Sequence, residues 1–243
     1  MSLLLLKEPI LVVNFKVYDS SIGRRALAIG KAAEKVHSEF RGLVTIIVAP
    51  PFTELRTLSE SLEIPVFAQH ADPVGLGANT GAVPPEAIKE AGAAGFIANH
   101  SERRLRLDEI SFLIERAKRL GLKTLVCATK PEEAAAVSIL RPDMVAVEPP
   151  ELIGTGLAVS RAKPEVIVNS ITLVRQYNKD VIILTGAGIS SAEDSEAAIR
   201  LGTSGVLVSS AVMKSHDPEG TLRGMVEAML KAIKRRELSL ARP

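Results

Sequence analysis

The sequence predicts a protein of the α/β class, built as a single (β/α)8 barrel. Eight short apolar runs alternate with segments of helical period along the 243 residues. The runs are apolar on both faces, as parallel strands are when they lie between a core and helices. A chain of this length is typical of such a barrel, although an open, doubly wound sheet stays the alternative fold.

Each predicted strand is a short apolar segment that stops at a polar or glycine-rich stretch. The eight segments are residues 10–15, 43–48, 65–69, 95–99, 123–127, 143–148, 181–185 and 204–208. Right-handed crossovers return the chain to the same sheet direction after every helix. A closed barrel is therefore the economical arrangement of these strands.

Helical patterns fill the segments between the strands. After the fourth strand, apolar residues recur on one helix face, and we expect this helix to start at Asp108 and to end at Gly121 as its C-cap. After the seventh strand, Ser190 and Glu193 predict a capping box. The pattern contains no linker rich in Pro, Gly or Ser. We expect one domain over residues 1–243, with the barrel at about 9–234 and a tail at 235–243.

Composition limits the classes of partner. The net charge of +2 gives no general basic field, so we expect no nucleic-acid partner. The single cysteine, Cys127, leaves no internal disulfide and no thiolate metal cluster, which favours a reducing compartment. No apolar run approaches the roughly twenty residues of a membrane helix, and the leucines at the start are too few for a secretory signal. We expect a cytoplasmic protein with no membrane partner.

Polar residues follow the predicted strands at the ends that would share one mouth of the barrel. They are Asn14, Lys16, Gln69, Asn99, His100 and Glu148. An ammonium, an imidazole and a carboxylate suit proton abstraction next to a carbonyl, with no metal or organic cofactor. Spacing alone does not assign the roles. Lys16 could be a solvated lysine, and His100 could be a structural histidine.

The loop after Glu148 has the composition of a moving segment. Pro149 and Pro150 prevent the strand from continuing, and Gly154 and Gly156 close the stretch VEPPELIGTG. We expect this loop to close over the site and to exclude water. The alternative is that Glu148 caps a helix and that the glycines serve ordinary turns.

Small residues after the last two strands predict a phosphate site. The sequence GAGIS, residues 186–190, follows the seventh strand, and Ser209, Ser210 and Ala211 follow the eighth. Backbone N–H groups in such turns can face an anion, and phosphate sites in this fold are usually built from these two loops. The alternative is that the glycines only allow tight turns.

Three motifs resemble the triosephosphate isomerase family. They are NFK at residues 14–16, NHSERR at 99–104 and VEPPELIGTG at 147–156, and the resemblance extends from about residue 9 to 234. The sequence EPPELIGTG, together with AQHADP at residues 68–73, is similar to the sequences of the short archaeal branch of this family. The resemblance implies a TIM barrel and an aldose-ketose isomerase that interconverts dihydroxyacetone phosphate and D-glyceraldehyde 3-phosphate in glycolysis and gluconeogenesis.

The resemblance also implies a role for individual residues. Glu148 matches the catalytic base, His100 matches the electrophile that moves protons between substrate oxygens, and Lys16 matches the cation that stabilises negative charge. Asn14 matches a substrate contact, and Glu102 and Arg103 match residues that order the site. The matched positions for substrate and phosphate binding are Ile153, Gly154, Gly188, Ser209 and Ser210. No cofactor is implied.

Other functions stay open at this point. Another phosphosugar barrel, such as an aldolase or a biosynthetic isomerase, would need a Schiff-base lysine or a different acid and base. A non-enzymatic barrel could bind a phosphorylated metabolite as a sensor. The presence of Glu148 and Lys16 favours the enzyme.

The resemblance implies self-association as well. The loop at residues 72–84 is long for a connection of this kind, and in the family the matching loop inserts into a neighbouring subunit. Thr80 matches the residue that approaches the neighbour's lysine. Ala134, Ala135 and Ala136 offer a second contact for another barrel. We expect a homodimer that pairs into a homotetramer, with the homodimer as the simpler alternative.

Overall fold

The computed structural model describes residues 6–152 and 158–240 and shows eight strands in one parallel sheet. The strands are β1 (Ile10–Asn14), β2 (Thr45–Ala49), β3 (Phe67–Ala68), β4 (Gly95–Ala98), β5 (Lys123–Ala128), β6 (Met144–Val147), β7 (Ile182–Thr185) and β8 (Gly205–Val208). Their order is β2-β1-β8-β7-β6-β5-β4-β3. A parallel bridge between Val48 and Val66 joins the two ends of this order and closes the ring. The predicted (β/α)8 barrel is confirmed.

Helices connect the strands and form the outer layer. They are α1 (Arg24–Glu39), α2 (Phe52–Ser61), α3 (Pro85–Glu90), α4 (Leu107–Leu120), α5 (Pro131–Ile139), α6 (Val159–Ala162), α7 (Pro164–Tyr177), α8 (Ala192–Arg200), α9 (Ser210–Met213) and α10 (Pro218–Leu240). Short 3-10 turns lie at Asp19–Ser21 and Pro150–Leu152. In the part of the chain that the structure describes, none of the helices has both the length and the apolar character that crossing a bilayer requires.

The core has two layers because successive side chains of a strand point to opposite faces. Ile10 and Val12 face the barrel interior, where they belong to a cluster with Phe67 and Leu125. Leu11, between them, belongs to the larger cluster that the strands share with the surrounding helices. Both faces of each strand are therefore buried, which is why the sequence shows apolar runs without alternation.

Each strand differs from its predicted bounds by at least one residue, and two strands, β2 and β3, start two residues later than predicted. The second starts at Thr45 because the Leu43 N–H bonds the Phe40 carbonyl at 2.9 Å in a turn, and this leaves Leu43 exposed. The third has only Phe67 and Ala68 in its ladder with β4. Pro65 has no N–H to donate, and the chain after Ala68 turns into the following loop.

Helix boundaries were predicted closely but not fully. Gly121 ends α4 in the left-handed conformation with φ 68°, as expected for a C-cap glycine. The helix begins at Leu107, one residue before the predicted start. The predicted capping box is wrong by one position: the N-cap of α8 is Ser191, which pairs with Asp194. The Ser190 hydroxyl donates a hydrogen bond to the Asp194 carboxylate at 2.9 Å and does not cap the helix. Ser190 therefore lies in the turn before α8.

The alanines of α5 do not all face outward. Ala134 and Ala135 are buried within the chain, and only Ala136 of the three is exposed. The prediction that all three offer a surface to another barrel is therefore wrong. Ile139, at the end of α5, is exposed instead. A helix packed on a sheet must bury one face, and the apolar pattern of this short helix did not reveal which one.

We predict that Gly205→Ala strongly destabilises the barrel. A Cβ at this position in β8 would lie 2.0 Å from the Ile10 carbonyl oxygen of β1, a backbone atom that can move only if the strands separate. Overpacking of this kind should cost about 3 kcal/mol of unfolding free energy. Urea unfolding at fixed protein concentration measures it.

Gly224→Ala is the matched control, because a Cβ there meets its nearest neighbour at an ordinary 3.9 Å. In the middle of α10 it should leave stability unchanged or raise it by up to about 1 kcal/mol. An unfolding midpoint for Gly205→Ala equal to that of the wild type would contradict the close contact between β1 and β8.

Candidate active site

One cavity lies at the carboxyl ends of the strands and collects side chains from five of the connecting loops. Its walls are formed by Asn14, Lys16, Tyr18, His100, Glu148, Ala187, Gly188, Ile189, Ser190, Leu207, Val208, Ser209 and Ser210. Closure of the sheet brings these ends to a common mouth, although the residues are far apart in sequence. The cavity joins the predicted carboxylate, imidazole and ammonium to both predicted phosphate turns.

Glu148 follows β6 directly and carries a buried carboxylate, one oxygen of which has no hydrogen-bond partner among the described residues. Its N–H bonds the Ala128 carbonyl at 2.8 Å, so the backbone still belongs to the ladder while the side chain enters the cavity. Only 5% of the residue is exposed. Oε2 accepts no hydrogen bond from the residues that the structure describes. A buried carboxylate oxygen with a free lone pair is suited to accept a proton from a bound molecule.

His100 faces Glu148 across the cavity in a defined orientation. Its Nδ1 accepts a hydrogen bond from the Glu102 N–H at 3.2 Å. A neutral ring that accepts at Nδ1 must carry its proton on Nε2. That Nε2 atom lies 3.7 Å from Glu148 Oε2, which is beyond a hydrogen bond. The ring therefore presents an N–H donor beside the free oxygen of the carboxylate.

Lys16 is held in a strained backbone conformation. Its φ angle is 47°, an unfavourable region for a side chain other than glycine. Its N–H bonds the Asn14 side-chain oxygen at 3.0 Å, and its carbonyl accepts from the Gln69 side-chain amide at 3.0 Å. The ammonium lies 2.8 Å from Glu102 Oε1. Hydrogen bonds hold the backbone N–H and carbonyl of Lys16, and an ion pair holds its ammonium. Lys16 is therefore not a freely solvated lysine.

Asn99 shows how the chain supports the histidine. It also has a positive φ of 59° and lies between β4 and His100. Its side-chain amide donates to the Cys127 carbonyl at 2.9 Å, and its side-chain oxygen accepts from the Leu105 N–H at 2.9 Å. The turn that carries His100 is thus tied both to β5 and to the chain that enters α4.

The single cysteine lies under the site. Cys127 is buried in β5, and burial first, then the negative charge of Glu148 beside it, raises the pKa of its thiol well above the usual value. The thiol therefore stays protonated and is not a nucleophile. Sequence reasoning did not connect Cys127 with Glu148, because the contact depends on the pairing of β5 with β6.

Gly186 is a second residue whose importance only the structure reveals. Its N–H bonds the Val147 carbonyl at 3.0 Å, which places it beside Glu148 in the ladder. A Cβ on Gly186 would lie 2.6 Å from Glu148 Oε1 and 2.7 Å from its Cγ. The missing side chain thus makes room for the carboxylate. The sequence indicated only a tight turn here.

The two predicted phosphate turns both line this cavity. After β7, Ala187 and Gly188 take positive φ angles of 61° and 73° in succession. After β8, Ser209 is the N-cap position of α9, and its buried hydroxyl has no hydrogen-bond partner among the described residues. Both features are typical of turns that direct N–H and O–H groups at an anion.

The remaining predicted residues lie outside this cavity. Glu102 contacts two residues of the cavity wall, Lys16 through its carboxylate and His100 through its N–H, and Arg103 donates to Asp72 at 2.8 Å. Thr80 is exposed on the loop after β3. Ile153 and Gly154 lie outside the described residues. Within the described ranges, no group of three or more His, Cys, Asp or Glu side chains is placed to hold a metal ion.

Comparison with known proteins defines the family. The family model for triosephosphate isomerase matches residues 9–229. The chain belongs to the triosephosphate isomerase family. It is 45% identical to the triosephosphate isomerase of Saccharolobus solfataricus over 94% of this chain and 99% of the relative. It is 50% identical to that of Pyrobaculum arsenaticum over 93% of this chain and 100% of the relative. It is 48% identical to that of Methanocaldococcus jannaschii over 90% of this chain and 99% of the relative.

The family assignment confirms the recognition made from the three motifs, including its archaeal character. The matched range of this triosephosphate isomerase family member begins just before β1 and ends within α10, so it covers the whole barrel. The roles of individual site residues stay predictions that the geometry described above supports.

We predict that Gly186→Ala lowers kcat while the fold persists. The added methyl group would displace the Glu148 carboxylate, and a shift of about 1 Å in a reacting group can cost about 100-fold in rate. The contact is with a side chain and not with backbone, so the barrel need not open. Steady-state kinetics with a triose phosphate and thermal unfolding measure the two effects.

Gly224→Ala serves again as the control and should retain full kcat. If Gly186→Ala kept the wild-type kcat, the carboxylate would not need the space that this glycine leaves, and its observed position would not be the working one.

Proposed function

We propose that the protein interconverts dihydroxyacetone phosphate and D-glyceraldehyde 3-phosphate as a triosephosphate isomerase. Family membership over the whole barrel supports this activity. The observation that carries it is the arrangement of two groups in one cavity. The buried Oε2 of Glu148 has no hydrogen-bond partner among the described residues and lies 3.7 Å from the Nε2 of His100. Such a pair can remove a proton from carbon and supply one to the neighbouring oxygen without a cofactor.

In the proposed mechanism, Glu148 removes the proton from the carbon next to the carbonyl group. The electron pair of that C–H bond forms the enediolate, whose oxygens face the N–H of His100. The former carbonyl oxygen takes the Nε2 proton of His100, and the ring recovers a proton from the hydroxyl group on the neighbouring carbon. Glu148 then delivers its proton to the carbon that carried the carbonyl group, and the neighbouring carbon becomes the new carbonyl. Because the carboxylate is buried and its Oε2 has no hydrogen-bond partner among the described residues, that oxygen is available to take the proton from carbon.

Lys16 supplies the positive charge that the dianionic substrate and the enediolate require. The pairing of its ammonium with Glu102 at 2.8 Å orients the charge at the edge of the cavity. Asn14 fixes the Lys16 peptide through its side-chain oxygen and also lines the cavity. We assign Asn14 to substrate contact, and Glu102 and Arg103 to ordering of the site.

We assign the phosphate group to the turns after β7 and β8, at Gly188, Ser209 and Ser210. These residues line the same cavity as Glu148, so one cavity would hold both the phosphate group and the reacting carbons of a three-carbon substrate. Ile153 and Gly154 stay predicted contacts to the substrate. Closure of the loop that contains them, after Glu148, is also a prediction. The lysine chemistry of an aldolase is disfavoured, because Lys16 is paired with Glu102 and the family is an isomerase family.

We predict that Glu148→Gln abolishes most of the isomerase activity. The amide keeps the shape of the side chain but cannot accept a proton from carbon, so kcat should fall by about 1,000-fold or more. A coupled assay that starts from dihydroxyacetone phosphate measures it. Glu90→Gln, on the exposed surface of α3, should have the wild-type rate.

Two outcomes separate the levels of this proposal. A wild-type protein without turnover of either triose phosphate would refute the activity itself. A wild type that turns over while Glu148→Gln does so equally well would preserve the activity and reject Glu148 as the base.

We further propose that residues 1–243 form one domain and that the protein works in the cytoplasm in glycolysis and gluconeogenesis. The single closed sheet and the family support these statements. α10 extends through Leu240, into the segment predicted as a tail. No nucleic-acid partner is proposed, because the net charge is only +2.

A homodimer through the loop after β3 is the proposed first level of assembly. The tip of this loop is exposed, and Leu76 on it is 75% exposed. A groove of about 530 Å³ beside Lys16 is lined by Val17, Phe52 and Arg103 among others, and Val17 is itself 76% exposed. An exposed apolar residue at the loop tip and a groove beside Lys16 that includes the exposed Val17 support insertion of each chain's loop into the other chain, with Thr80 near the neighbour's Lys16.

Pairing of two dimers into a homotetramer is the proposed second level. It rests on the exposed part of α5, where Ala136 and Ile139 offer a small residue and an apolar residue to a second barrel.

We predict that Leu76→Arg and Ala136→Arg have different effects on assembly and rate. Leu76→Arg should yield monomers with lower kcat, because the partner's loop would no longer support Lys16. Ala136→Arg should yield dimers with the wild-type kcat. Light scattering at assay concentration, with Val168→Arg on α7 as a control for an added surface charge, measures both.

A wild-type monomer with full turnover would reject the dimer and the role of Thr80. A wild-type dimer that Ala136→Arg leaves unchanged would reject only the second interface.

A further inference from the structure

Asp194 is a fully buried carboxylate that does not line the active-site cavity. It lies in the first turn of α8 and is 0% exposed. A charged group is removed from water only when neighbouring groups compensate it, and the identity of those groups shows what the charge holds in place. The compensating groups of Asp194 come from two segments that border the proposed phosphate site.

One oxygen of Asp194 holds the chain that leaves the phosphate turn. Oδ2 accepts the Ser190 N–H at 3.0 Å, the Ser190 hydroxyl at 2.9 Å and the Ser191 N–H at 3.1 Å. A capping box needs only the bond to Ser191, the N-cap residue. The two additional bonds go to Ser190, which lines the cavity two residues after Gly188.

The turn that these bonds secure is a strained one. Ala187 and Gly188 have successive positive φ angles, and a left-handed conformation costs free energy at alanine. Such a conformation persists only when the surrounding structure fixes it. Asp194 provides this from the downstream side, because Ser190 cannot shift without loss of both of its bonds to the carboxylate.

The other oxygen connects the same turn to α6, the helix that follows residues 153–157. Arg161 Nε lies 2.8 Å from Asp194 Oδ1. That oxygen accepts no well-aligned hydrogen bond from the described residues, so the contact is an ion pair. The Ser160 hydroxyl bonds the Asp194 carbonyl at 3.2 Å, and the Val159 N–H bonds the Ala187 carbonyl at 3.2 Å.

We propose that Asp194, paired with Arg161, is a positioning residue for recognition of the substrate's phosphate group. It holds the turn at residues 187–190 in its strained conformation and joins that turn to α6. The pair acts on the phosphate end of the substrate and not on proton transfer, because the Asp194 carboxylate bonds Ser190 of the phosphate turn and contacts neither Glu148 nor His100. The inference rests on the proposed isomerase function and adds the residues that shape one subsite of it.

A purely structural alternative is that Asp194 only caps α8. The two roles use different atoms and can be separated by mutation. Ser191→Ala removes the hydroxyl that caps the Asp194 N–H at 3.2 Å but leaves the carboxylate and its bonds to Ser190. It should lower the midpoint of thermal unfolding and leave the phosphate inhibition constant at the wild-type value. It is therefore the matched control.

The experiment compares substrates with and without phosphate. For Asp194→Ala we expect KM for D-glyceraldehyde 3-phosphate and the inhibition constant of inorganic phosphate to rise about tenfold or more, the factor that corresponds to loss of one or two hydrogen bonds. The kcat/KM for D-glyceraldehyde, which has no phosphate, should stay within about twofold of the wild type. Arg161→Gln should produce the same pattern with a smaller rise.

The proposal is overturned if Asp194→Ala reduces kcat/KM equally for both substrates, or if it lowers stability and leaves the phosphate inhibition constant unchanged. If Asp194→Ala does not fold, Arg161→Gln decides, because this side chain is 61% exposed and its loss need not unfold the barrel. An unchanged phosphate inhibition constant in Arg161→Gln then rejects the pair. If the wild type had no isomerase activity, calorimetric titration with inorganic phosphate would still compare the variants.

Discussion

Closure of the parallel sheet is the constraint on which the site depends. The bridge between Val48 and Val66 joins the two ends of the strand order, at β2 and β3. β1 and β8 lie so close together that there is no room for a side chain at Gly205. Once the ring is closed, the end of every strand lies at one mouth, and residues more than a hundred positions apart become neighbours. Glu148 and His100 face each other because the sheet fixes the positions of β4 and β6, and the loop after β4 then orients the His100 ring through the Glu102 N–H.

Strain at the ends of the strands is the second feature of the site. Lys16, Asn99 and Ala187 all have positive φ angles, and each lies directly beside or within the cavity. Side chains from other segments hold two of them, because Gln69 bonds the Lys16 carbonyl and Asp194 in α8 fixes the residues that follow Ala187. Asn99 is held by the bonds that its own side chain makes to Cys127 and Leu105. The stability of the barrel offsets the local cost, and the result is a set of groups that are oriented before a substrate arrives.

Prediction from sequence succeeded where a local pattern reflects a general requirement. The apolar runs located all eight strands, and Gly121 located the end of α4. It was less accurate where tertiary contacts decide. The third strand has only two residues in its ladder, the capping box of α8 uses Ser191, and Ala134 and Ala135 face inward. A propensity at one position cannot report which neighbouring element competes for the same hydrogen bond or covers the same face.

The sequence by itself determined the class of fold, the family and the set of polar residues at the strand ends, because motif wording and hydrophobic pattern are local properties. Only the tertiary structure decided how those residues work together. The Glu102 N–H bonds His100 Nδ1 and so leaves the ring proton on Nε2. Gly186 leaves space for the Glu148 side chain, and Asp194 in α8 pairs with Arg161 in α6. Each of these depends on distances between segments that are remote in the chain, and such distances exist only after the barrel has closed.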